Sequence, residues 1–374
     1  MIKLFPKTIF IILLTCGVLA AAPAYAEVMV RVMVMDDLTR LELHFPSEYE
    51  VSDKTDSGIV VKEDQEGASL VMDKDDASLE GIRIVSKDKA ININDYSLKG
   101  TIEIKRNGKG LFRVVNELGL EDYTSAVVGE EVSQSWPMEA LKAQAVVART
   151  YALYKKLNGG CDGYDLCSTV NSQVFNGGAK GKQRPAEAAR ETEGEVLTYG
   201  GELIETLYHS SCGGRTEDSA DVWTAKPYLK SCDCPCGKQS PYASWKKTFS
   251  AKEVETALGR NGHRTEGVVS VKVLNRSDTG RAASVRVSAD LGGATLKGNE
   301  FRRILGYSKL PSTFFDVKRD GDTFVFTGKG SGHGVGLCQW GAKVMAEQGK
   351  DYKEILRHYY RGAEVASASA WEGR

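Results

Sequence analysis

The stretch that decides the fold runs from Leu120 to Tyr151 and reads LEDYTSAVVGEEVSQSWPMEALKAQAVVARTY. Its second half predicts a helix over 137–157, because Ser135 offers a cap and Pro137 suits a first helical turn. Apolar and small residues then recur at helical spacing along one face: Met138, Leu141, Ala145, Ala148 and Ala152. So many alanines on the packed side predict that another stretch of backbone lies very close to this helix.

Two adjacent carboxylates lie just before this helix. A short apolar run over 126–128 ends in Gly129 and is followed by Glu130 and Glu131. A carboxyl group held among apolar side chains has a raised pKa, which makes it a candidate proton donor. The segment is too short for its periodicity to decide which glutamate faces inward, and a solvated surface carboxylate is the ordinary alternative.

The composition predicts an exported protein that does not bind nucleic acid. Residues 1–26 combine a positive start, an apolar core and the small-residue site Ala24-Tyr25-Ala26, which is the pattern of a secretory signal cleaved after Ala26. No later stretch approaches the roughly 18 apolar residues that a membrane span needs. The 49 Lys and Arg residues nearly balance the 50 Asp and Glu residues, which argues against nucleic acid as the main partner.

The pattern of strands and helices predicts an α+β protein. Residues 27–100 form a β-rich N-terminal region of short alternating or apolar runs between charged turns. The Ala-rich helix is central and packs on mixed strands, and a hairpin is expected over 195–207 with its turn at 199–202. The C-terminal part consists of strands and helices. Further helices are predicted near 185–193, 251–260, 338–348 and 351–360, and strands near 267–274, 282–297 and 314–327.

A glycine-rich loop surrounds His333. Residues 328–342 read GKGSGHGVGLCQWGA, and the glycines allow the backbone to turn freely and approach a ligand closely. A phosphate-binding loop is a poor alternative, because the Lys-Ser/Thr ending of that motif is missing. His333 is therefore a candidate for a cleft wall, and the alternative is that it stabilises the loop.

The stretch over 208–223, YHSSCGGRTEDSADVW, places His209, Ser210, Cys212 and Arg215 in one turn. A serine hydrolase is excluded because no G-x-S-x-G elbow occurs in the chain. A cysteine nucleophile with a histidine base remains conceivable. Against it, several other cysteines lie near Cys212 in sequence and are available as disulfide partners.

Seven cysteines remain after removal of the signal, and they allow two interpretations. Cys232 and Cys236, with Cys212 or a histidine, have the spacing of a zinc site. Disulfides between this loop and Cys212 serve equally well, and an oxidising compartment favours them over a metal. Cys161 and Cys167 bracket a short loop and are candidates for either a disulfide or metal ligation.

These motifs resemble one known family, the SpoIID/LytB group of stage II sporulation protein D and amidase enhancers. The resemblance covers about residues 100–360 and is carried by Leu120–Tyr151, Tyr208–Glu217, Val222–Leu229, Phe301–Gly306 and His333–Ala342. It implies a SpoIID/LytB-like catalytic domain over 101–362, between the β-rich N-terminal region and a C-terminal tail over 363–374.

The resemblance also implies an activity and its residues. The family is expected to contain lytic transglycosylases that cleave the MurNAc–GlcNAc linkage of peptidoglycan strands already stripped of stem peptides by an amidase. The catalytic glutamate falls on Glu131 and not on Glu130. By the same resemblance the substrate-binding residues are His209, Ser210, Arg215, His333 and Gln339, and no cofactor is required. Peptidoglycan strands and a cell-wall amidase are the partners that it implies.

Departures from the family pattern leave the proposed acid in place. Val132 and Ser133 stand where Met and Pro are usual, and Cys338 stands where Ser is usual. Some members bind zinc through cysteines spaced like Cys161 and Cys167 together with a histidine. No histidine lies close to that pair in this sequence, which argues against zinc there.

Three functions are consistent with these residues: a glycan-cleaving enzyme, a non-catalytic amidase enhancer or wall-binding protein, and a metal-dependent hydrolase built on the cysteines. The retained glutamate favours the first.

Overall fold

The computed structural model describes residues 27–45, 49–53, 68–75, 81–86, 89–160, 162–169, 172–178 and 182–371. The predicted signal over 1–26 and Cys161 lie outside these residues. The described part contains helices and several sheets, which confirms the α+β class.

The N-terminal strands build two sheets. Their bounds are β1 Met29–Leu38, β2 Arg40–Phe45, β3 Tyr49–Asp53, β4 Ala68–Asp73, β5 Gly81–Ser86, β6 Ile91–Ile93, β7 Tyr96–Leu98, β8 Thr101–Arg106, β9 Phe112–Gly119 and, later in the chain, β10 Leu166–Cys167. One sheet has the order β10-β1-β9-β8-β5-β3 and the other β4-β2-β6-β7. Because β8 and β9 pair with strands from the region before residue 100, the predicted boundary there does not coincide with a break in the sheet.

Two helices follow directly, α1 Leu120–Glu131 and α2 Met138–Leu157. The predicted helix over 137–157 is confirmed, although Pro137 itself is the N-cap and makes no side-chain cap bond, so the assignment of Ser135 as the cap is wrong. Helix α1 extends through the run that the sequence suggested only as a short apolar segment. The alanines of α2 are buried against α1 and its neighbours, as their small size predicts.

The remaining elements follow along the chain. They are α3 Gln183–Glu191, β11 Glu195–Tyr199, β12 Glu202–Leu203, β13 Tyr208–His209, α4 Ser219–Val222, β14 Trp245–Ser250, α5 Ala251–Arg260, β15 Thr265–Arg276, β16 Ala282–Lys297, α6 Gly298–Leu305, β17 Phe315–Asp320, β18 Thr323–Gly328, β19 Leu337–Cys338, α7 Gln339–Glu347, α8 Tyr352–Tyr359 and β20 Glu364–Ser367. Among them, α3, β11, α7 and α8 pack against α2. The predicted β11–β12 hairpin is confirmed, with Tyr199 opposite Glu202. Helix α6 was not predicted.

Strands and helices between residues 245 and 328 have a hydrophobic core of their own. Phe249, Leu258, Val285, Phe301 and Phe326 are all buried in it. Part of the segment predicted as a C-terminal tail over 363–374 packs on the fold. Strand β20 pairs with β11, and Trp371 is buried in the core of the N-terminal sheets. No helix in the described residues is long and apolar enough to cross a membrane.

Candidate active site

Glu131 is the last residue of α1, and its carboxylate meets groups from three distant segments. Its Oε1 accepts hydrogen bonds from the backbone N–H of Val174 at 3.0 Å and from the Tyr208 hydroxyl at 3.0 Å. Its Oε2 lies 3.3 Å from Nε2 of Gln339, which donates to it. These bonds hold the carboxylate in one orientation.

The neighbouring Glu130 faces a different environment. Its carboxylate accepts from Lys182 Nζ, with which it forms an ion pair, and from Asn176 Nδ2 at 3.0 Å. Successive residues of an α-helix project about 100° apart, so the side chains of two adjacent glutamates point in different directions. Of the two, Glu131 therefore projects into the cleft described next.

A cleft with a volume of about 670 Å³ opens beside Glu131. Its walls come from the segments 172–174, 206–210, 299–308 and 331–333, together with Tyr151, Trp223 and Gln339. Among the described residues that line it, Glu131 is the only carboxylate. A mechanism with two acidic residues flanking the scissile bond has no second acid in this lining.

Burial raises the pKa of Glu131 above its ordinary value. The hydrogen bonds from Val174, Tyr208 and Gln339 oppose that rise because they favour the ionised form, and the nearby charge of Glu130 adds to it. Desolvation therefore favours the protonated form of Glu131, and the three hydrogen-bond donors favour the ionised form. That balance suits a group that first donates and then accepts a proton.

The short parallel pair β13–β19 places two of these donors. Tyr208 lies opposite Leu337 and His209 opposite Cys338. Tyr208 is therefore on β13, and Gln339 begins α7 directly after the adjacent strand β19. Gly336 has φ +72°, and any Cβ there would overlap the carbonyl oxygen of Leu207. The glycine-rich loop therefore packs closely on the neighbouring 207–212 segment, whereas the sequence suggested a close approach to a ligand.

Both candidate histidines line the cleft and are held by backbone groups. His333 Nε2 donates to the carbonyl oxygen of Tyr208 at 2.8 Å, while its Nδ1 accepts from the N–H of Val335 at 3.1 Å. Burial lowers the pKa of His333 to about 4 and lowers the pKa of His209 as well. Both rings are therefore neutral near pH 7, and neither is a strong candidate for the acid.

The other predicted binding residues separate into two groups. Ser210 and Gln339 line the cleft, but Arg215 does not. Arg215 is exposed, and its Nε lies 3.9 Å from the Asp233 carboxylate. Gly213 and Gly214 adopt φ values of +75° and +110°, so the backbone reverses after Cys212 and turns Arg215 away.

Three cleft residues were not singled out from the sequence. Tyr208 begins the 208–223 motif and contacts Glu131 directly. Trp223 ends that motif, is 49% exposed, and has its ring centroid 5.0 Å from that of His333. Arg302 comes from α6; its Nε donates to the carbonyl oxygen of Leu310 at 2.9 Å, and burial lowers its pKa to about 10. Their positions within the family-like motifs were the only signal available.

The described cysteines are all free thiols: Cys167, Cys212, Cys232, Cys234, Cys236 and Cys338. The expected disulfide from Cys212 to the 232–236 loop is not formed, because Cys212 and all three loop cysteines are free. The sulfurs of Cys212 and Cys236, for example, are 3.4 Å apart, against about 2.05 Å for a bond. Cys161, the candidate partner of Cys167 in either a disulfide or a metal site, lies outside the described residues.

The thiol groups of Cys212, Cys234, Cys236 and Cys338 converge, with all sulfurs within 4.8 Å of one another. The predicted ligand Cys232 is not in this group; its sulfur contacts the Thr216 hydroxyl at 3.3 Å. Cys234 and Cys338 replace it, although the sequence had not offered them as ligands. No hydrogen bond joins Cys212 to His209 or His333 in the described residues, so a cysteine–histidine nucleophile lacks support.

Comparisons with known proteins agree with these motifs. A family model described as stage II sporulation protein matches residues 108–199, and one described as a domain of unknown function (DUF8618) matches residues 236–336. The chain is 33% identical over 313 residues to stage II sporulation protein D of Bacillus subtilis, covering 78% of this chain and 88% of that protein.

Two further relatives are similar to the chain. Stage II sporulation protein D of Bacillus amyloliquefaciens is 34% identical over 275 residues, which cover 69% of this chain and 77% of that protein. The amidase enhancer of Bacillus subtilis is 31% identical over 290 residues, which cover 64% of this chain and 40% of that protein.

Proposed function

The chain belongs to the stage II sporulation protein D family, and from this premise we propose that it is a lytic transglycosylase of peptidoglycan. It cleaves the MurNAc–GlcNAc linkage of glycan strands whose stem peptides have been removed, with Glu131 as both acid and base. We propose that it works outside the cytoplasm on the cell wall and that an amidase prepares its substrate.

The observation that carries this proposal is the single carboxylate among the described residues that line the cleft. Ordinary glycosidases need a second carboxylate, either as nucleophile or to activate water. A lytic transglycosylase needs only one, because the attacking oxygen belongs to the sugar. Glu131 with its three donors supplies the one group required.

The proposed reaction balances with that one group. Glu131 gives its proton to the glycosidic oxygen as the bond from this oxygen to C1 of MurNAc breaks. The resulting carboxylate takes the proton of the C6 hydroxyl while O6 bonds to C1, which closes a 1,6-anhydro ring and restores the acid. Because Oε1 already accepts two hydrogen bonds, Oε2 is the oxygen expected to carry the transferred proton.

The positive charge of Arg302 in the cleft favours glycan strands without stem peptides as the substrate. Removal of the peptide by an amidase leaves a free lactyl carboxylate on each MurNAc. Arg302 lines the cleft, and the described residues provide no carboxylate that pairs with it. A buried guanidinium without a counterion favours an anionic ligand, which fits the denuded strand better than the peptide-bearing one.

The experiment that tests this proposal compares purified strands with and without stem peptides. The expected products are disaccharides ending in 1,6-anhydroMurNAc, released from denuded strands and identified by mass spectrometry. Equal cleavage of peptide-bearing strands would contradict the proposed substrate. Absence of cleavage from both would contradict the proposed activity.

Trp223→Ala is expected to weaken glycan binding. The exposed indole offers an apolar face for a sugar ring, and its loss should raise KM about tenfold, equivalent to about 1.4 kcal/mol. kcat and the melting temperature should change little. Leu291→Ala is the control, because Leu291 is similarly exposed, at 48%, and lies on β16 outside the cleft. An unchanged KM in Trp223→Ala would show that the ring does not contact substrate.

Tyr208→Phe is expected to move the alkaline limb of the kcat/KM profile to higher pH. The hydroxyl of Tyr208 lowers the pKa of Glu131 by stabilising its carboxylate, so its removal raises that pKa. Because the acid must begin protonated, activity is lost as pH rises through the pKa of Glu131, and a higher pKa delays the loss. Tyr123→Phe is the control, since its buried hydroxyl donates to Gln173 at 3.1 Å. A limb that stays in place or moves to lower pH would contradict this role.

A second function has one observation in its favour, the 31% identity to a protein named amidase enhancer. In that case the chain would stimulate a cell-wall amidase without cleaving glycan. Full stimulation of an amidase by Glu131→Gln, with no glycan product from either protein, would support it over the transglycosylase.

A further inference from the structure

Four buried cysteine side chains converge next to the cleft. Cys212 follows β13, Cys234 and Cys236 lie in the loop after residue 230, and Cys338 ends β19 and caps α7. All four are buried, and their sulfur atoms lie within 4.8 Å of one another. Three segments that are far apart in sequence therefore present one thiol cluster.

The cluster has the shape of a tetrathiolate site. Zinc–sulfur bonds of about 2.3 Å in a tetrahedron place the ligand sulfurs about 3.8 Å apart. The Cys212 and Cys236 sulfurs are 3.4 Å apart, and no pair in the cluster exceeds 4.8 Å. The separations are thus short enough for one ion to reach all four sulfurs after small side-chain adjustments, and none of the four cysteines is in a disulfide.

Hydrogen-bond donors surround the sulfurs. The N–H of Gly214 donates to Cys212 Sγ at 3.4 Å, and Cys338 Sγ accepts from the N–H groups of Cys212 at 3.2 Å and Gly341 at 3.4 Å. The Tyr359 hydroxyl lies 3.1 Å from Cys234 Sγ. Donors of this kind stabilise the negative charge of metal-bound thiolates and orient them.

A buried cation adjoins the cluster. Arg281 is only 2% exposed, and its Nη2 donates to the carbonyl oxygens of Cys212 at 2.6 Å and Arg215 at 3.1 Å. Its Nε has no hydrogen-bond partner, and its nearest carboxylate, Glu217, is 3.9 Å away. A metal with four thiolates carries a charge of −2, and the guanidinium would offset part of it.

Gly341 leaves room for this arrangement. A Cβ at that position would overlap both Cys234 Sγ and the Tyr359 hydroxyl oxygen. Any residue other than glycine at position 341 would displace the sulfur or the hydroxyl.

We propose that Cys212, Cys234, Cys236 and Cys338 bind a single zinc ion. Four thiols lose four protons on binding, and the ion links β13, the 230–240 loop and the start of α7. Because tetrahedral sulfur ligands suit zinc and a closed site has no open position, the ion is structural. It fixes the β13–β19 pair, which carries Tyr208 and Gln339 toward Glu131. The inference does not depend on the proposed glycan chemistry.

The test measures metal content in the purified full chain after expression with zinc. About one zinc per chain is expected in the wild type, and cobalt loading should give the strong visible absorption of a tetrahedral tetrathiolate. Cys338→Ser should lose both signals. Cys232→Ser is the matched control and should keep both, because Cys232 belongs to the same loop but not to the cluster. A chelator should lower the melting temperature of the wild type and of the control.

Several outcomes would overturn the proposal. Wild-type protein that is folded but contains no zinc would do so, as would an intact mass lighter by four hydrogens, which reports two disulfides. Iron in place of zinc, or loss of metal in Cys232→Ser equal to that in Cys338→Ser, would also contradict it. The wild-type measurements remain decisive if Cys338→Ser does not fold.

Discussion

Glu131→Gln is expected to lower kcat on denuded glycan strands by about 10²–10⁴, the usual contribution of general acid–base catalysis. The amide has nearly the same shape but cannot give up a proton to the glycosidic oxygen. Its carbonyl oxygen can still accept from Val174 and Tyr208. In the wild type, Nε2 of Gln339 donates to Oε1 of Gln144 at 3.4 Å, and Nε2 of Gln144 has no hydrogen-bond partner. The side-chain amides of Gln339 and Gln144 can therefore both flip, so that Gln339 accepts a hydrogen bond from the introduced amide. Product formation and glycan binding are the two measurements.

Glu130→Gln is the matched control for this variant. Glu130 is one residue away, is half-buried, and bonds to Lys182 and Asn176. Its loss should leave kcat within a few-fold of the wild-type value. A Glu131→Gln protein that retains both binding and full cleavage would remove Glu131 from the chemistry, and a loss confined to Glu130→Gln would assign the role to the other carboxylate.

Glu121→Ala is expected to reduce the free energy of unfolding by about 3 kcal/mol, at the low end of the cost of removing one partner of a buried ion pair. Its partner Arg149 is 0% exposed in the middle of α2. Both oxygens of Glu121 accept from this guanidinium, at 2.7 Å and 2.5 Å. Arg149 still donates hydrogen bonds to the carbonyl oxygens of Ala189 and Glu195. Because these bonds satisfy part of the buried guanidinium, they limit the loss of stability. Urea unfolding measures the change.

Asp122→Ala is the control for this stability prediction. Asp122 is the next residue of the same helix turn and is exposed, so its removal should cost much less than 1 kcal/mol. Equal unfolding midpoints for Glu121→Ala and wild type would show that the ion pair does not hold α1 and α2 together.

Local sequence patterns predicted two kinds of element correctly: helices that bury one face, and hairpins whose turn contains glycines. Helix α2 followed from alanine and leucine spacing, and the β11–β12 hairpin from its glycine turn. Helix α5 lies where a helix was predicted, near 251–260. Helix α1 was missed because Tyr123 and the 126–128 run are buried on several sides, which leaves no clear polar face. The pattern there resembles a short apolar segment.

The site itself depends on contacts that no local pattern contains. Tyr208 is 77 residues from Glu131 and Gln339 is 208 residues from it, so their convergence follows only from the packing of β13 against β19. The family-like motifs identified the segments but not their directions. Arg215 was placed in the cleft for that reason, while the positive φ of Gly213 and Gly214 turns it outward. The cysteine cluster was missed in part because Cys338 joins it from 102 positions after Cys236 in the numbering of the chain.

The most direct test of the central claim is cleavage of denuded strands in oxygen-labelled water, with mass spectrometry of the new MurNAc ends. In the proposed reaction the sugar's own O6 attacks C1, so we predict 1,6-anhydroMurNAc ends that contain no label. Reducing MurNAc ends that carry the labelled oxygen would show hydrolysis by water and would contradict the single-acid transglycosylase mechanism.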